Sequence, residues 1–303
     1  VLPRPLPTPV LAFATNELKC DVGIMVTASH NPPQDNGYKV YLGGTVDGIH
    51  YRGSQIVSPT DEAIAAKIDA VTSLKSQPRG KVWEVLGEEI IEKYIARTAS
   101  LATNPGSLRI VYTAMHGVGT ETIQGVFHKA GFPSPILVDA QAAPDPDFPT
   151  VAFPNPEEPG AIDLALETAK SFDAHLVIAN DPDADRCAAA VNDPVTGWRM
   201  LRGDELGAIF AESIARKIDS GIFANSIVSS SIVKKIAAHY NLEFKETLTG
   251  FKWLAKIENL TFGYEEALGY AVDAFTVNDK DGISAAITLA QIATDLASEG
   301  KTL

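Results

Sequence analysis

The stretch His175-Leu176-Val177-Ile178-Ala179-Asn180-Asp181-Pro182-Asp183-Ala184-Asp185-Arg186 decides how this chain is read. Residues 175–179 form an apolar run, predicted as a strand, and the run opens abruptly into an acidic loop. Three carboxylates at i, i+2 and i+4 behind such a strand repel one another unless a cation lies among them. Magnesium suits that donor set, because it takes oxygen ligands in an octahedron that waters or a phosphate oxygen complete. Pro182 and Ala184 stiffen the loop and keep it clear of bulk. An EF-hand would need Gly at the sixth position and Glu at the twelfth, where Arg186 and Pro194 stand. An aspartyl-phosphatase nucleophile motif would want Thr or Val where Asp185 stands. A solvated acidic turn is the plain alternative.

Outward from this loop, the chain alternates apolar strands, polar or glycine-rich loops and amphipathic helices. Upstream, Val22–Val26 reads as a buried strand and 38–42 as a second. Ser58-Pro59-Thr60-Asp61 reads as a helix start with Ser58 at the N-cap. Arg109–Tyr112 is a strand, followed by a turn at His116–Gly119 and a helix ending near Gly131. Residues 136–138 are a strand, 144–159 a long Pro-rich loop, and 161–171 a helix. Downstream come helix 204–218, strand 226–230, helix 231–240, strand 242–247, helix 250–259 and a helix near 282–299. The expected fold is α/β: three consecutive strand-helix domains with mainly parallel mixed sheets covered by helices. Breaks at Asn104–Ser107 and near Thr196-Gly197 divide it into residues 1–103, 104–197 and 198–303, units of roughly 100 residues each.

The 303 residues are 45% hydrophobic and 21% charged, an ordinary globular balance. A formal net charge of −13 argues against nucleic acid or an anionic membrane as partner, since both would repel it. Cys20 and Cys187 are too few for a disulfide scaffold or a cysteine zinc site. No apolar run approaches the roughly 18 residues of a membrane span, and no signal-peptide pattern opens the chain. A cytoplasmic location is the expectation.

Two further loops carry candidate chemistry. In Thr27-Ala28-Ser29-His30-Asn31-Pro32-Pro33, the residue before proline is pushed out of the helical region, so Ser29 belongs to an irregular, exposed turn. In Gly263-Tyr264-Glu265-Glu266-Ala267-Leu268-Gly269-Tyr270, two adjacent acids bracketed by glycines can accept hydrogen bonds from sugar hydroxyls. A surface turn is the simpler reading of either loop alone. Asn278-Asp279-Lys280-Asp281-Gly282 reads equally as a helix cap or as a site where Lys280 meets an anion. His116-Gly117-Val118-Gly119 lacks the lysine and spacing of a phosphate loop and reads as a structural turn.

Taken in order, these loops resemble the α-D-phosphohexomutases, the family of phosphoglucomutases and phosphomannomutases. The Thr27–Pro32 string is similar to the family's phosphoserine signature, Asp181–Arg186 to its metal loop and Gly263–Tyr270 to its sugar-recognition loop. Residues 148–150 and 153–157 are similar to the branch that includes larger phosphoglucomutases and phosphopentomutases. The resemblance implies that Ser29 carries a phosphoryl group beside His30. It implies that Asp181, Asp183, Asp185 and a phosphoserine oxygen bind Mg²⁺, and that Arg186 contacts the phosphoryl group. Lys39 would serve as acid/base, provided burial or neighbouring cations lower its pKa. Glu265 and Glu266 would bind sugar hydroxyls, and Lys280 would hold the substrate.

The implied reaction interconverts hexose 1-phosphate and hexose 6-phosphate through a sugar bisphosphate, with glucose favoured over mannose. A phosphopentomutase, a non-catalytic sugar-phosphate-binding fragment and a phosphatase with an aspartate nucleophile are the alternatives. Ala267 and Tyr270 replace a serine and a histidine common in the sugar loop, which bears on the sugar's identity. Both ends look cut, so most of a first domain, a second and most or all of a third are expected, with a fourth missing.

Overall fold

The computed structural model describes residues 1–46 and 48–303. Helix α1 (Thr8–Glu17) leads to strands β1 (Val22–Val26), β2 (Tyr38–Leu42), β3 (Thr45–Val46), β4 (Ile49–His50) and β5 (Ser54–Gln55). Helices α2 (Thr60–Asp69) and α3 (Glu89–Ala99) follow. A second run comprises β6 (Ile110–Thr113), α4 (Gly119–Lys129), β7 (Ile136–Leu137), α5 (Asp139–Ala142), α6 (Asp163–Ser171), β8 (Leu176–Ala179), β9 (Ala188–Asp193) and β10 (Gly197–Met200). The last comprises α7 (Gly203–Ala215), β11 (Ile222–Ser226), α8 (Ile232–His239), β12 (Glu243–Thr247), α9 (Phe251–Leu254), β13 (Leu260–Glu265), β14 (Gly269–Ala271) and α10 (Gly282–Ser298).

Each run builds one main sheet, in the orders β1-β2-β5, β10-β9-β8-β6-β7 and β12-β11-β13-β14. In the second, β6 pairs in parallel with β7 and β8, and β9 and β10 join antiparallel. In the third, β11 pairs in parallel with β12 and β13, and β14 closes the edge antiparallel. Parallel pairing needs a crossover, and the intervening helices supply it. The first sheet departs from the expected parallel pattern: β1 and β2 are joined by loop 27–37 without a helix, so they pair antiparallel, as do β2 and β5.

Several expectations are corrected. Strand β1 forms over the expected residues, but Val22, Ile24 and Val26 are 49%, 55% and 77% exposed, so one face of this edge strand is bare. Ser58 does not cap α2; its hydroxyl donates to Glu62 Oε1 at 2.8 Å, and Pro59 takes the N-cap position. The strand expected at 226–230 ends at Ser226 because the Ser-rich segment after it turns. The helix expected over 250–259 is the single turn of α9. The turn near Gly197 belongs to a hairpin in which β10 pairs with β9.

The core is continuous across the three runs, from Val10 and Tyr94 through Val177 and Ile178 to Phe210 and Ile287. Polar links join the runs as well. The carboxylate of Asp281 caps α10 by accepting from the backbone of Ile283 and Ser284, and accepts from Tyr94 Oη of α3 at 2.8 Å. Between the first and third runs, Lys256 Nζ donates to Ser54 Oγ and to the carbonyl of Gln55 at 2.8 Å, over the ring of Tyr51. Asn278 Nδ2 donates to the carbonyls of Tyr51 and Ala255.

Burial, aided by nearby Arg52, lowers the Lys256 pKa from 10.5 to about 7. Between those two values the unfolded chain still holds a proton that the folded chain has released, so stability rises with pH across that window. Urea titrations from pH 7 to 10 are expected to show a steeper rise for the native chain than for Lys256→Met. Equal slopes would show that Lys256 is not the source.

Candidate active site

The acidic loop leaves the carboxyl end of β8, where open α/β sheets form their binding crevices. Its shape is fixed from both sides. Asn180 Oδ1 accepts from Tyr112 Oη at 2.8 Å, and Asn180 Nδ2 donates to the carbonyl of Arg186 at 2.6 Å. Ala184 occupies the left-handed region at φ 55°, an uncommon conformation for a residue with a Cβ. Asp181, Asp183 and Asp185 are all buried, and one oxygen from each lies within 4.8 Å of the others.

Ser29 is also held at positive φ, 55°, with its N–H donating to Thr27 Oγ1 at 2.8 Å. The turn is irregular, as expected, but half-buried rather than exposed. Ser29 Oγ lies 3.1 Å from Asp183 Oδ1 and 3.3 Å from Asp181 Oδ2, although more than 150 residues separate them. His30 Nδ1 is 3.2 Å from the same hydroxyl. Desolvation and the charge of Arg186 pull the His30 pKa down to about 4, so its ring is neutral at pH 7.

Lys39, on β2, reaches across to Asp183 Oδ2 at 2.7 Å and Asp185 Oδ2 at 2.5 Å. Burial pulls its pKa down, but the pull of Asp183 and Asp185 outweighs this and carries it above the usual lysine range. The lowered pKa expected of an acid/base lysine is therefore not found in this arrangement, because the amine faces two carboxylates. Lys280 Nζ lies 3.4 Å from Asp185. Arg186 Nε lies 3.9 Å from Asp181 and 4.0 Å from Asp185, without a hydrogen bond among the described residues.

The donor set fits a divalent cation. Asp185 Oδ1 is buried and has no hydrogen-bond partner among the described residues. Desolvation first, then repulsion from Asp185 and Asp183, raises the Asp181 pKa well above the carboxylate range. The three carboxylates crowd one another, with Lys39, Lys280 and Arg186 around them. Oxygen-only donors suit magnesium.

The third run brings the remaining candidates. Glu265 Oε1 accepts from the Gly250 N–H at 2.7 Å, and desolvation raises its pKa. Glu266 is differently engaged: Oε2 accepts from Ser226 Oγ at 3.1 Å and Ser229 Oγ at 2.8 Å. Its carboxylate braces the loop, which leaves Glu265 as the freer acid. Tyr270 is fully buried, with its hydroxyl donating to the carbonyl of Gly203. A bridge between Arg186 and Gly269 ties this loop to the acidic one.

Sequence reasoning missed Thr8, whose hydroxyl donates to Asp183 Oδ2 at 2.6 Å and whose N–H donates to the Asp183 carbonyl. A threonine opening a helix carries no mark of a partner 175 residues away. Glu157 was also missed as a neighbour of Arg186 and Glu266; burial raises its pKa.

Comparison with known proteins adds three family-model matches. Residues 1–75, 91–197 and 202–303 match alpha/beta/alpha domains I, II and III of phosphoglucomutase/phosphomannomutase. The chain is 50% identical to a protein of Haemophilus influenzae named "Probable phosphomannomutase", covering 100% of this chain and 62% of that one. It is 39% identical to a phosphoribomutase of Saccharomyces cerevisiae, over 94% of this chain and 51% of the relative. The chain thus spans between half and two thirds of these relatives' lengths. Among solved structures, a phosphoglucomutase/phosphomannomutase family protein from Burkholderia thailandensis superimposes with a TM-score of 0.79. It is 21% identical and covers 96% of this chain and 61% of that one, a likeness of fold.

Proposed function

This chain belongs to the phosphoglucomutase/phosphomannomutase family, and from that premise we propose that it holds the transferable phosphoryl group of a sugar-phosphate mutase. The observation that carries the reading is the meeting of Ser29 Oγ with Asp181 and Asp183 at 3.1–3.3 Å. A lone serine beside two buried carboxylates would be an unfavourable neighbour for a phosphate. It becomes a favourable one where those carboxylates hold a cation.

In this reading phosphorylated Ser29 donates to a free hydroxyl of a sugar monophosphate. The bond from Ser29 Oγ to phosphorus breaks as a bond from the sugar oxygen forms, and the hydroxyl proton goes to a base; Lys39 can take it only after its amine has left Asp183 and Asp185 and lost its own proton. The sugar bisphosphate then turns, and its other phosphoryl group returns to Ser29. Asp181, Asp183 and Asp185 would hold Mg²⁺, which when bound neutralises charge on the phosphoryl oxygens. Arg186 contributes a fixed positive charge to the same oxygens. His30, neutral, orients Ser29 through the 3.2 Å contact. Glu265 accepts from a sugar hydroxyl, Glu266 supports it from behind, and Lys280 balances the substrate's charge.

The substrates in this reading are hexose 1- and 6-phosphates and the sugar bisphosphate, glucose ahead of mannose, handled in the cytoplasm. A pentose phosphate is the second reading, favoured by the phosphoribomutase relative and by Ala267, which offers no hydroxyl to a hexose. Turnover of glucose 1-phosphate against ribose 1-phosphate separates the two.

Incubation with Mg²⁺ and glucose 1,6-bisphosphate, followed by intact and peptide mass spectrometry, tests the central assignment. One added phosphoryl group on Ser29 is expected, and none in Ser29→Ala. A hydroxylamine-labile phosphoryl group on an aspartate would instead make the chain a phosphatase-like enzyme and overturn the serine.

A further inference from the structure

The carboxylates of the acidic loop already have a cationic occupant. Lys39 Nζ bridges Asp183 Oδ2 and Asp185 Oδ2 at 2.7 and 2.5 Å, and its side chain is only 17% exposed. With Lys280 and Arg186 alongside, three positive groups face three carboxylates. A divalent ion on Asp183 and Asp185 would draw on the same two carboxylates, with ligand oxygens at about 2.1 Å. An ammonium kept within hydrogen-bond distance of those oxygens would then lie a few ångströms from a doubly charged ion, where repulsion is strong even with screening by the protein.

We propose that Lys39 and the divalent cation are alternative occupants of the Asp183–Asp185 pair, so that metal loading releases Lys39 from the acidic loop toward the sugar hydroxyl. The inference rests on the metal reading above and adds a displacement to it. Lys39 is the group able to leave. Strand pairing with Met25 fixes its backbone, but its four-carbon stem is flexible. Lys280 is hemmed in: its stem packs close to Gly269, its amine lies 5.7 Å from the Phe251 ring centre, and among the described residues it pairs with one carboxylate. A metal ion can therefore keep Lys280 as a neighbour while excluding Lys39. By linkage, whatever draws Lys39 away tightens the metal, and the metal loosens Lys39 by the same factor.

Two measurements test this. Mn²⁺ affinity, read from the free-ion paramagnetic resonance signal, is expected to be at least about tenfold higher in Lys39→Met than in the native chain. Lys280→Met, which removes an equal charge without vacating the bridging position, is expected to show a smaller gain. Reductive methylation of the native chain, followed at Lys39 by peptide mass spectrometry, is expected to accelerate several-fold on saturation with Mg²⁺; it requires no variant to fold. Unchanged or weaker Mn²⁺ binding in Lys39→Met, or Lys39 labelling indifferent to Mg²⁺, overturns the displacement. No binding of Mn²⁺ by any of the three proteins overturns the metal reading and the displacement together.

Discussion

Asp183→Ala is expected to abolish metal-supported phosphoryl loading, with a loss of at least about 10²-fold in rate, the scale set by removal of one charge-stabilising group. Asp183 concentrates more of the site than its neighbours do. Its Oδ1 accepts from Ser29 Oγ, its Oδ2 accepts from Thr8 Oγ1 and Lys39 Nζ, and its carbonyl accepts from the Thr8 N–H. Alanine keeps the last of these and deletes the rest. Thr8 is then left without its acceptor, and Lys39 falls back on Asp185. Breaking a buried ion pair from one side costs about 3–5 kcal/mol, so stability must be measured alongside. Asp183→Asn keeps the shape and one acceptor while removing the charge, so failure of a folded Asn variant to load assigns the loss to the missing carboxylate charge and not to the shape of the loop. Loading of either folded variant within threefold of the native rate would remove Asp183 from the metal site.

Gly282→Ala is expected to destabilise the chain by about 3 kcal/mol, at the upper end of overpacking costs, and to disturb the acidic loop from a distance. Alanine is ordinarily the better helix former by about 1 kcal/mol, so propensity alone predicts a gain at the first residue of α10. The space forbids it. A Cβ there would lie 2.2 Å from the Arg186 carbonyl oxygen and 2.6 Å from Asn180 Nδ2. Neither atom can retreat freely, because Asn180 donates to that same carbonyl and is itself held by Tyr112. Relief requires α10 and the acidic loop to part, breaking the hydrogen bond from the Gly282 N–H to the Ala184 carbonyl. Urea unfolding read by fluorescence gives the stability, and Mn²⁺ titration gives the loop. A loss below 1 kcal/mol would show that the junction yields more than its contacts suggest.

The alternation of strands and helices and the acidic loop were legible because they are local. An apolar run of four or five residues, a helical period and three acids two apart all announce themselves within a dozen positions. Strand ends were less legible: the Ser226–Ser231 segment is as compatible with a strand as with the turn it makes. The bare face of Val22, Ile24 and Val26 was not legible at all, since apolar composition reports what a strand could bury and not what lies over it. Within the site, Ser29 and the aspartates could be named from their motifs, but not the engagement of Lys39 by Asp183 and Asp185. Nor could the engagement of Glu266 by Ser226 and Ser229. Such pairings join side chains whose separation in sequence leaves no periodic trace, and they decide whether a lysine is free to take a proton or an acid free to meet a sugar.

Asp185 accepts from Lys39 of the first sheet and pairs in charge with Lys280 from the segment leading into α10, while its own loop springs from the second sheet. The three runs are therefore unlike cassettes that recombine freely. The charge balance around Asp185 is set by two residues that lie outside its own run. A change to Lys39 or Lys280 reaches the acidic loop as directly as a change within the loop, since both amines lie within 3.4 Å of the Asp185 carboxylate.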